Sequence, residues 1–232
     1  IRDSSVTGVQ TCALPIFPPS SICPFSFLPS DQGRAFAVNG SLSKGKLRGV
    51  GFIFVLCFLI SSVLFLPIDV EYVIYAILLF AMMISGYLDD ASKTPWNEYK
   101  KGLIDLVISV VAVLTYMNFN STTICFGADE IVIPKALFLI LGVILIWVSV
   151  NVTNCTDGVD GLCASLCSVT LLAFGVLFAS VLQKYAMANF LFLSVLFAYL
   201  YFNSSPSSML MGDAGSRSEE HTSELQSHLN LV

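Results

Sequence analysis

Six long apolar runs constrain this chain more than any other feature of its sequence. They cover residues 49–67, 71–88, 102–119, 134–150, 159–182 and 185–202. Each is close to the roughly 20 residues that a helix needs to cross about 30 Å of hydrocarbon, and unpaired backbone groups are not tolerated in lipid. The 232 residues leave almost nothing soluble to surround these runs, which excludes buried core helices. The sequence therefore predicts an all-α, polytopic transmembrane helix bundle.

The composition agrees with a membrane protein. Hydrophobic residues make up 56% of the chain and charged residues 12%, whereas an average soluble domain is about one-quarter charged. No basic patch is interleaved with aromatic residues, so nucleic acid is excluded as a partner. The chain has seven cysteines but no Cys-x-x-Cys pair, so neither a zinc site nor a disulfide framework is predicted.

Both ends of the chain differ in character from its body. Residues 1–16 and 217–232 resemble translated sequencing-adapter read-through, so we expect both to be non-native and leave them out of the reasoning about the fold. Residues 17–48 form a cytoplasmic or junction segment, and residues 49–216 form the transmembrane domain. Both histidines, His221 and His228, lie in the second foreign segment, so we assign neither a role.

Three acidic motifs follow the second, fourth and sixth apolar runs, at residues 89–90, 151–161 and 211–216. Because two spans separate each motif from the next, all three emerge on the same face of the membrane. The positive-inside rule makes that face cytoplasmic, because it carries seven basic residues against two on the other face. The seven are Arg34, Lys44, Lys46, Arg48, Lys93, Lys100 and Lys101. We therefore expect one shared site at the cytoplasmic membrane boundary.

The most specific motif reads Asn-Val-Thr-Asn-Cys-Thr-Asp-Gly-Val-Asp-Gly, at residues 151–161. A plain turn explains its glycines, but it does not explain the polar side chains of Asn151, Asn154, Thr156, Asp157 and Asp160 at the mouth of a helical bundle. If the next helix has begun by Asp157, then Asp157 and Asp160 face the same way. Together with the carboxamides of Asn151 and Asn154, these carboxylates suit a hard cation such as Mg²⁺, which is usually held by one or two carboxylates and substrate phosphates.

The two shorter motifs are less specific when taken singly. Asp89 and Asp90 are adjacent like charges, so we expect a cation nearby, although a solvated loop also accounts for the pair. Asp213 stands between two glycines, which let the backbone approach a ligand closely, although Gly-Asp also favours a plain turn. Lys100 and Lys101 follow the first motif, where they set the topology or contact phosphates.

These blocks, in this order and at these helix separations, resemble the polyprenyl-phosphate N-acetylhexosamine-1-phosphate transferase superfamily, which is of the glycosyltransferase family 4 type. The resemblance is carried by residues 86–90, 100–103, 151–162 and 211–216, and it covers residues 30–216. The nearest branch is that of the phospho-N-acetylmuramoyl-pentapeptide transferases, for which Thr156 before Asp157 is typical.

The resemblance implies transfer of phospho-MurNAc-pentapeptide from UDP-MurNAc-pentapeptide to undecaprenyl phosphate in the bacterial cytoplasmic (inner) membrane. The products are lipid I, a peptidoglycan precursor, and UMP; the cofactor is Mg²⁺, and members are often homodimers. By position, Asp89 matches the carboxylate proposed to deprotonate the lipid phosphate, Asp90 is its neighbour in the catalytic motif, and Asp213 matches the principal Mg²⁺ ligand. Substrate binding is assigned to Asn151, Asn154, Asp157, Asp160 and Lys101.

The chain departs from the family pattern in two places. The counterpart of a Gly-Thr-Pro-Thr-Met-Gly-Gly-like segment is residues 45–51, which keep glycines and charge but lose the threonines. A histidine-rich cytoplasmic loop and further helices have no counterpart here. We therefore expect the chain to contain about six of the ten membrane spans that the resemblance implies. We expect no activity from the chain as given.

Three other interpretations stay open. The first is the same chemistry on another sugar, by a UDP-GlcNAc:undecaprenyl-phosphate GlcNAc-1-phosphate transferase. The second is a cation-coupled membrane transporter, but transporter sites usually lie near the bilayer midplane on broken helices, whereas these carboxylates lie at the ends of uninterrupted runs. The third is an inactive fragment.

Overall fold

The computed structural model describes residues 28–29, 46–92, 96–126, 129–157, 159–180, 182–205 and 207–218, which form a bundle of six long α-helices. The helices are α1 (Gly51–Phe65), α2 (Val70–Ala91), α3 (Glu98–Phe119), α4 (Lys135–Thr156), α5 (Leu162–Phe178) and α6 (Gln183–Asn203). Each helix coincides with one apolar run, so the predicted all-α bundle is confirmed. The predicted foreign segment 1–16 lies outside the described residues, as do residues 219–232, Arg34, Lys44 and Lys93.

Four of these helices, α2, α3, α4 and α6, are long and apolar enough to cross a membrane, judged by length and composition. The other two, α1 and α5, are apolar but shorter, with 15 and 17 residues. Large apolar side chains are exposed on the outer faces of the bundle, among them Leu64, Ile77, Val107 and Val169. Such a surface is expected where lipid rather than water surrounds the helices. The chain is therefore that of a multi-pass membrane protein.

The second helix lies between two hydrophobic cores. Tyr75, Leu78 and Met82 pack in a core with α3 and α4, whereas Leu79 and Met83 pack in a core with α1, α5 and α6. Positions three or four residues apart fall on one side of a helix, so the two sets form neighbouring stripes. The C-terminal end of α2, which carries the first acidic motif, therefore lies where the two halves of the bundle meet.

Local signals set the other boundaries. The Asp69 carboxylate accepts a hydrogen bond from the Tyr72 N–H at 2.8 Å and caps α2, and Asn97 caps α3 in the same way. Between α3 and α4, β1 (Thr123–Phe126) pairs antiparallel with β2 (Asp129–Val132). The sequence analysis did not predict this hairpin, because two four-residue strands are inconspicuous beside apolar runs of about 20 residues.

The helices extend further into the acidic motifs than the apolar runs do. Asp89 and Asp90 lie in the last turn of α2 rather than in a following loop. Asn151 and Asn154 lie in the last two turns of α4. Helical geometry therefore fixes the direction in which each of these four side chains points.

The condition under which Asp157 and Asp160 would share one helical face is not met. Asp157 is the C-cap of α4, and α5 begins only at Leu162. Gly161 has a φ of 75°, a left-handed conformation that an α-helix cannot contain. Asp157 and Asp160 therefore lie on the turn between two helices and do not share one helical face.

Candidate active site

A short parallel pairing joins the segment before α1 to the segment after α6. The Leu210 N–H donates to the Leu47 carbonyl at 2.9 Å, and the Gly51 N–H donates to the Met211 carbonyl at 3.0 Å. Residues 212–218 then continue as a short helical segment. The third acidic motif is thus held against the beginning of α1, although the whole bundle separates the two in sequence.

Two glycines allow this segment to enter the bundle. A Cβ atom on Gly86 of α2 would lie 2.5 Å from the backbone carbonyl of Asp213, closer than real contacts allow. Gly212 has a φ of 69°, and a side chain there would overlap the Asp90 carboxylate. Glycine alone tolerates both the conformation and the close approach. The absence of side chains at these two positions therefore lets the segment that carries Asp213 pack directly against α2.

Lys101, in the first turns of α3, links two of the acidic motifs. Its ammonium lies 2.6 Å from Oδ2 of Asp89 and 2.9 Å from Oδ2 of Asp213. Asp89 also accepts a hydrogen bond from the Trp96 N–H at 2.7 Å, which fixes its other oxygen. Both carboxylates are buried, so water and salt screen these ion pairs less than they screen exposed ones.

Arg48 makes a corresponding link on the other side of Asp213. Its Nε atom lies 2.8 Å from Oδ1 of Asp90, and its Nη2 atom lies 3.1 Å from Oδ1 of Asp213. The Ala214 N–H donates to the second Asp90 oxygen at 3.3 Å. From the sequence, Arg48 is one of the basic residues that orient the membrane spans, and no role in the site is predicted for it. Its one signal was the charge that residues 45–51 retain where the family pattern has threonines.

The cluster contains more carboxylates than basic side chains. With all five side chains ionised, three carboxylates and two basic groups have a formal net charge of −1. Burial alone raises the pKa of the Asp213 carboxyl, but the Lys101 ammonium and the Arg48 guanidinium outweigh it and hold that pKa below its ordinary value. Asp213 is therefore ionised at neutral pH, and the cluster can accept a further positive charge.

The second acidic motif contacts the third through Asn154. The Ser216 hydroxyl donates to Oδ1 of Asn154 at 2.8 Å, so α4 is tied to the segment that carries Asp213. Asp157, which follows at the end of α4, is buried. The structure thus brings Asn154 next to the third motif, in addition to Asp89, Asp90 and Lys101.

Two other residues predicted to bind substrate make their hydrogen bonds elsewhere. Asn151 donates to the Trp147 carbonyl of its own helix at 2.7 Å. Asp160 is exposed and accepts hydrogen bonds from the backbone N–H and the hydroxyl of Ser207, at 3.0 and 2.8 Å. Asp160 therefore ties the turn between α4 and α5 to the segment that leads into the third motif.

A buried ion pair lies beneath the cluster. Arg217 pairs with Asp105 of α3, and both side chains are almost completely buried. Asp105 therefore points into the bundle. Arg217 is also the first residue of the predicted foreign segment 217–232, whose origin stays a prediction.

The carboxylate oxygens of the cluster suit a hard cation, but in this structure they surround basic side chains. Among the residues that the structure describes, no group of three or more His, Cys, Asp or Glu side chains is arranged to hold a metal ion. The carboxylates of Asp89, Asp90 and Asp213 instead surround Lys101 and Arg48. All of the acidic oxygens are nevertheless of the kind that Mg²⁺ prefers, and the net charge is negative.

Comparison with known proteins adds independent information. Residues 72–219 match the sequence profile of glycosyl transferase family 4. A phospho-N-acetylmuramoyl-pentapeptide-transferase of Treponema pallidum is 34% identical over 215 residues, which cover 83% of this chain and 59% of that protein. Proteins of the same name from Microcystis aeruginosa and Wolbachia pipientis are 30% and 28% identical, over 80% and 72% of this chain. The chain spans 55% of the length of each of these two.

Proposed function

The chain belongs to glycosyl transferase family 4, and from this membership we propose that the intact protein is a phospho-N-acetylmuramoyl-pentapeptide transferase. Its reaction transfers phospho-MurNAc-pentapeptide from UDP-MurNAc-pentapeptide to undecaprenyl phosphate, giving lipid I and UMP. The observation that carries the proposal is a convergence at one end of an apolar helix bundle: Asp89, Asp90 and Asp213 meet Lys101 and Arg48 there. The names of the curated relatives support the choice of substrates.

The position of the cluster suits one lipid substrate and one soluble substrate. It lies at the end of α2 and the beginning of α3, where apolar helices give way to polar sequence. A lipid phosphate lies at the bilayer surface, and a water-soluble sugar nucleotide can reach the same boundary. The basic residues of this end support a cytoplasmic orientation. The proposed location is therefore the bacterial inner membrane, with the site on its cytoplasmic face; the predicted homodimer stays a prediction.

The proposed reaction brings two anions together. A bond forms between an oxygen of the lipid phosphate and the sugar-bound phosphorus of the donor. The bond from that phosphorus to UMP breaks, and UMP leaves with the electron pair. Catalysis of such a transfer consists largely of positioning and of neutralising charge. Lys101 and Arg48 supply fixed positive charges, while Asp213, with Asp90, would hold a Mg²⁺ ion that offsets the phosphate charge.

The carboxylate proposed to take the proton of the lipid phosphate is Asp89. Its two oxygens are oriented by different groups, one by the Trp96 N–H and the other by Lys101. Because side chains held in this way lose little freedom on binding, Asp89 is suited to a defined proton acceptor role. Nucleotide binding is proposed for Asn151, Asn154, Asp157 and Asp160.

An assay of UMP release by the intact protein in detergent tests the proposal. The expected result is release from UDP-MurNAc-pentapeptide and undecaprenyl phosphate, with far less from UDP-GlcNAc. Release from UDP-GlcNAc alone would replace the sugar and keep the chemistry. No release from either donor, together with sodium or proton flux in vesicles, would favour a transporter instead.

A further inference from the structure

Arg48 joins two buried carboxylates. Its side chain is 25% exposed, whereas those of Asp90 and Asp213 are 0% and 8% exposed. Arg48 is therefore the member of this group that solvent reaches most easily. Its backbone is also held, because the Arg48 N–H donates to the Pro29 carbonyl at 2.9 Å.

Arg48 contacts the two carboxylates through different nitrogens. Its Nε atom lies 2.8 Å from Oδ1 of Asp90, and its Nη2 atom lies 3.1 Å from Oδ1 of Asp213. Arg48 therefore neutralises both carboxylates through its charge, and a divalent cation beside them can neutralise the same oxygens.

We propose that Arg48 acts as an internal counter-ion for the site. Its guanidinium neutralises the carboxylates of Asp90 and Asp213, where α2 meets residues 212–218, until a divalent cation enters beside them. The proposal rests on the proposed transferase function only for the choice of Mg²⁺ as that cation. Without a positive charge between them, two buried carboxylates that contact the same guanidinium would repel each other.

This role predicts the sign of a measurable change. The positive charge of Arg48 repels a divalent cation that approaches the same carboxylates. Lys101, the Ala214 N–H and the close contact of Gly86 with residue 213 also hold these carboxylates, so they stay aligned when Arg48 is neutral. Removing the charge therefore tightens Mg²⁺ binding. A residue that served only to shape the site would, when removed, loosen the carboxylates and weaken binding.

The test is a Mg²⁺ titration of the thermal unfolding temperature of the intact protein in detergent, without substrates. Arg48→Gln, which is neutral but still polar, is expected to lower the half-saturating Mg²⁺ concentration by about fivefold. Arg48→Lys, which keeps the charge, is expected to stay close to the unmodified protein. Arg48→Met is the second neutral variant and should repeat the result of Arg48→Gln if the latter folds poorly.

The matched control is Lys184→Met, which removes a lysine charge at the opposite end of the bundle, where Lys184 pairs with Asp69. It should leave the Mg²⁺ concentration unchanged. An unchanged or higher concentration for folded Arg48→Gln overturns the proposal, as does an equal decrease in Lys184→Met or a native protein that does not respond to Mg²⁺. Because no substrate is present, the titration stays readable even if no UMP is released, so failure of the transferase proposal is recognised separately.

Discussion

The two ends of α2 carry carboxylates in very different surroundings. At its beginning, the Asp69 side chain is 55% exposed and pairs with a single basic residue, Lys184. At its end, Asp89 and Asp90 are buried, and the Lys101 and Arg48 that pair with them each also contact Asp213. The same helix therefore ends in an ordinary surface ion pair on one side and in a shared buried cluster on the other.

This difference shows which end of the bundle is specialised. An exposed ion pair contributes about 0–1 kcal/mol to stability, whereas removing one partner from a buried pair costs about 3–5 kcal/mol. A buried cluster with more carboxylates than cations does not make the fold more stable than apolar packing would. Ionisable groups buried within a transmembrane segment are by default a functional-site hypothesis. Asp89 and Asp90 lie within α2 and Asp69 lies before it, so the C-terminal end of α2 is the candidate for chemistry.

The largest expected effect separates the two ends by activity. Asp213→Asn or Asp89→Asn should lower UMP release by the intact protein by about 100-fold or more, because each removes charge that is aimed at the reacting groups. Asp69→Asn, at the other end, should leave the rate unchanged. Folded yield, measured by size-exclusion chromatography in detergent, should be similar for all three. Retained activity in both Asp213→Asn and Asp89→Asn would contradict the site.

Lys101 and Lys184 should differ in how much they contribute to the free energy of unfolding. Lys101→Met leaves Asp89 and Asp213 buried without their shared ammonium, and we expect a loss of about 3–5 kcal/mol in the free energy of unfolding. Lys184→Met should cost at most about 1 kcal/mol, because its partner Asp69 is largely exposed. Unfolding by SDS titration measures both. Equal losses would show that burial does not distinguish the two ends.

Packing provides a third comparison, between two helical glycines near the site. Gly86→Ala should cost about 1–3 kcal/mol and displace Asp213, because the new methyl group overlaps the backbone of that residue. Gly102→Ala should be neutral or stabilising by up to about 1 kcal/mol, because its nearest neighbour is the Trp147 ring at an ordinary 3.6 Å. Unfolding and UMP release should be measured together. Unchanged stability and UMP release in Gly86→Ala would contradict the close packing of residues 212–218 against α2.

The smallest expected effect is the acid sensitivity of the exposed end. Burial raises the pKa of Asp69, but hydrogen bonds from Lys184 and the Tyr72 N–H outweigh it and lower the pKa below 3.8. A carboxyl whose folded pKa is lowered contributes stability above its unfolded pKa and loses it as the pH falls through the folded value. Asp69→Asn should therefore slightly reduce the loss of thermal stability below about pH 4. Identical acid profiles would show that this pair contributes nothing.

The sequence predicted the helices well because each span is a local property. A run of about 20 apolar residues can cross lipid only as a helix, and each of the six runs contains one. The ends were less predictable. Nothing in the run 71–88 indicates that the helix continues to Ala91, and Gly161, rather than hydropathy, decides where α5 begins.

The features of the site that follow from the number of spans between the motifs were predictable. The contacts between individual side chains were not. An even number of spans between motifs was enough to predict that Asp89 and Asp213 share a face, and Lys101 was expected near them. Arg48 was overlooked as a site residue because its partner Asp213 is 165 positions away. The role of Asp160 in substrate binding stays a prediction, and its hydrogen bonds with Ser207 could not be predicted from the sequence.

The sequence by itself determined a helical membrane bundle with its acidic motifs at one end, because hydropathy and span parity are properties of the chain read in order. Only the tertiary structure decided which charges meet. An ion pair depends on the positions of two side chains in space, and here those positions follow from the pairing of residues 47–51 with 210–211 and from the fit of Gly86 against residue 213. That arrangement places two basic residues among three buried carboxylates.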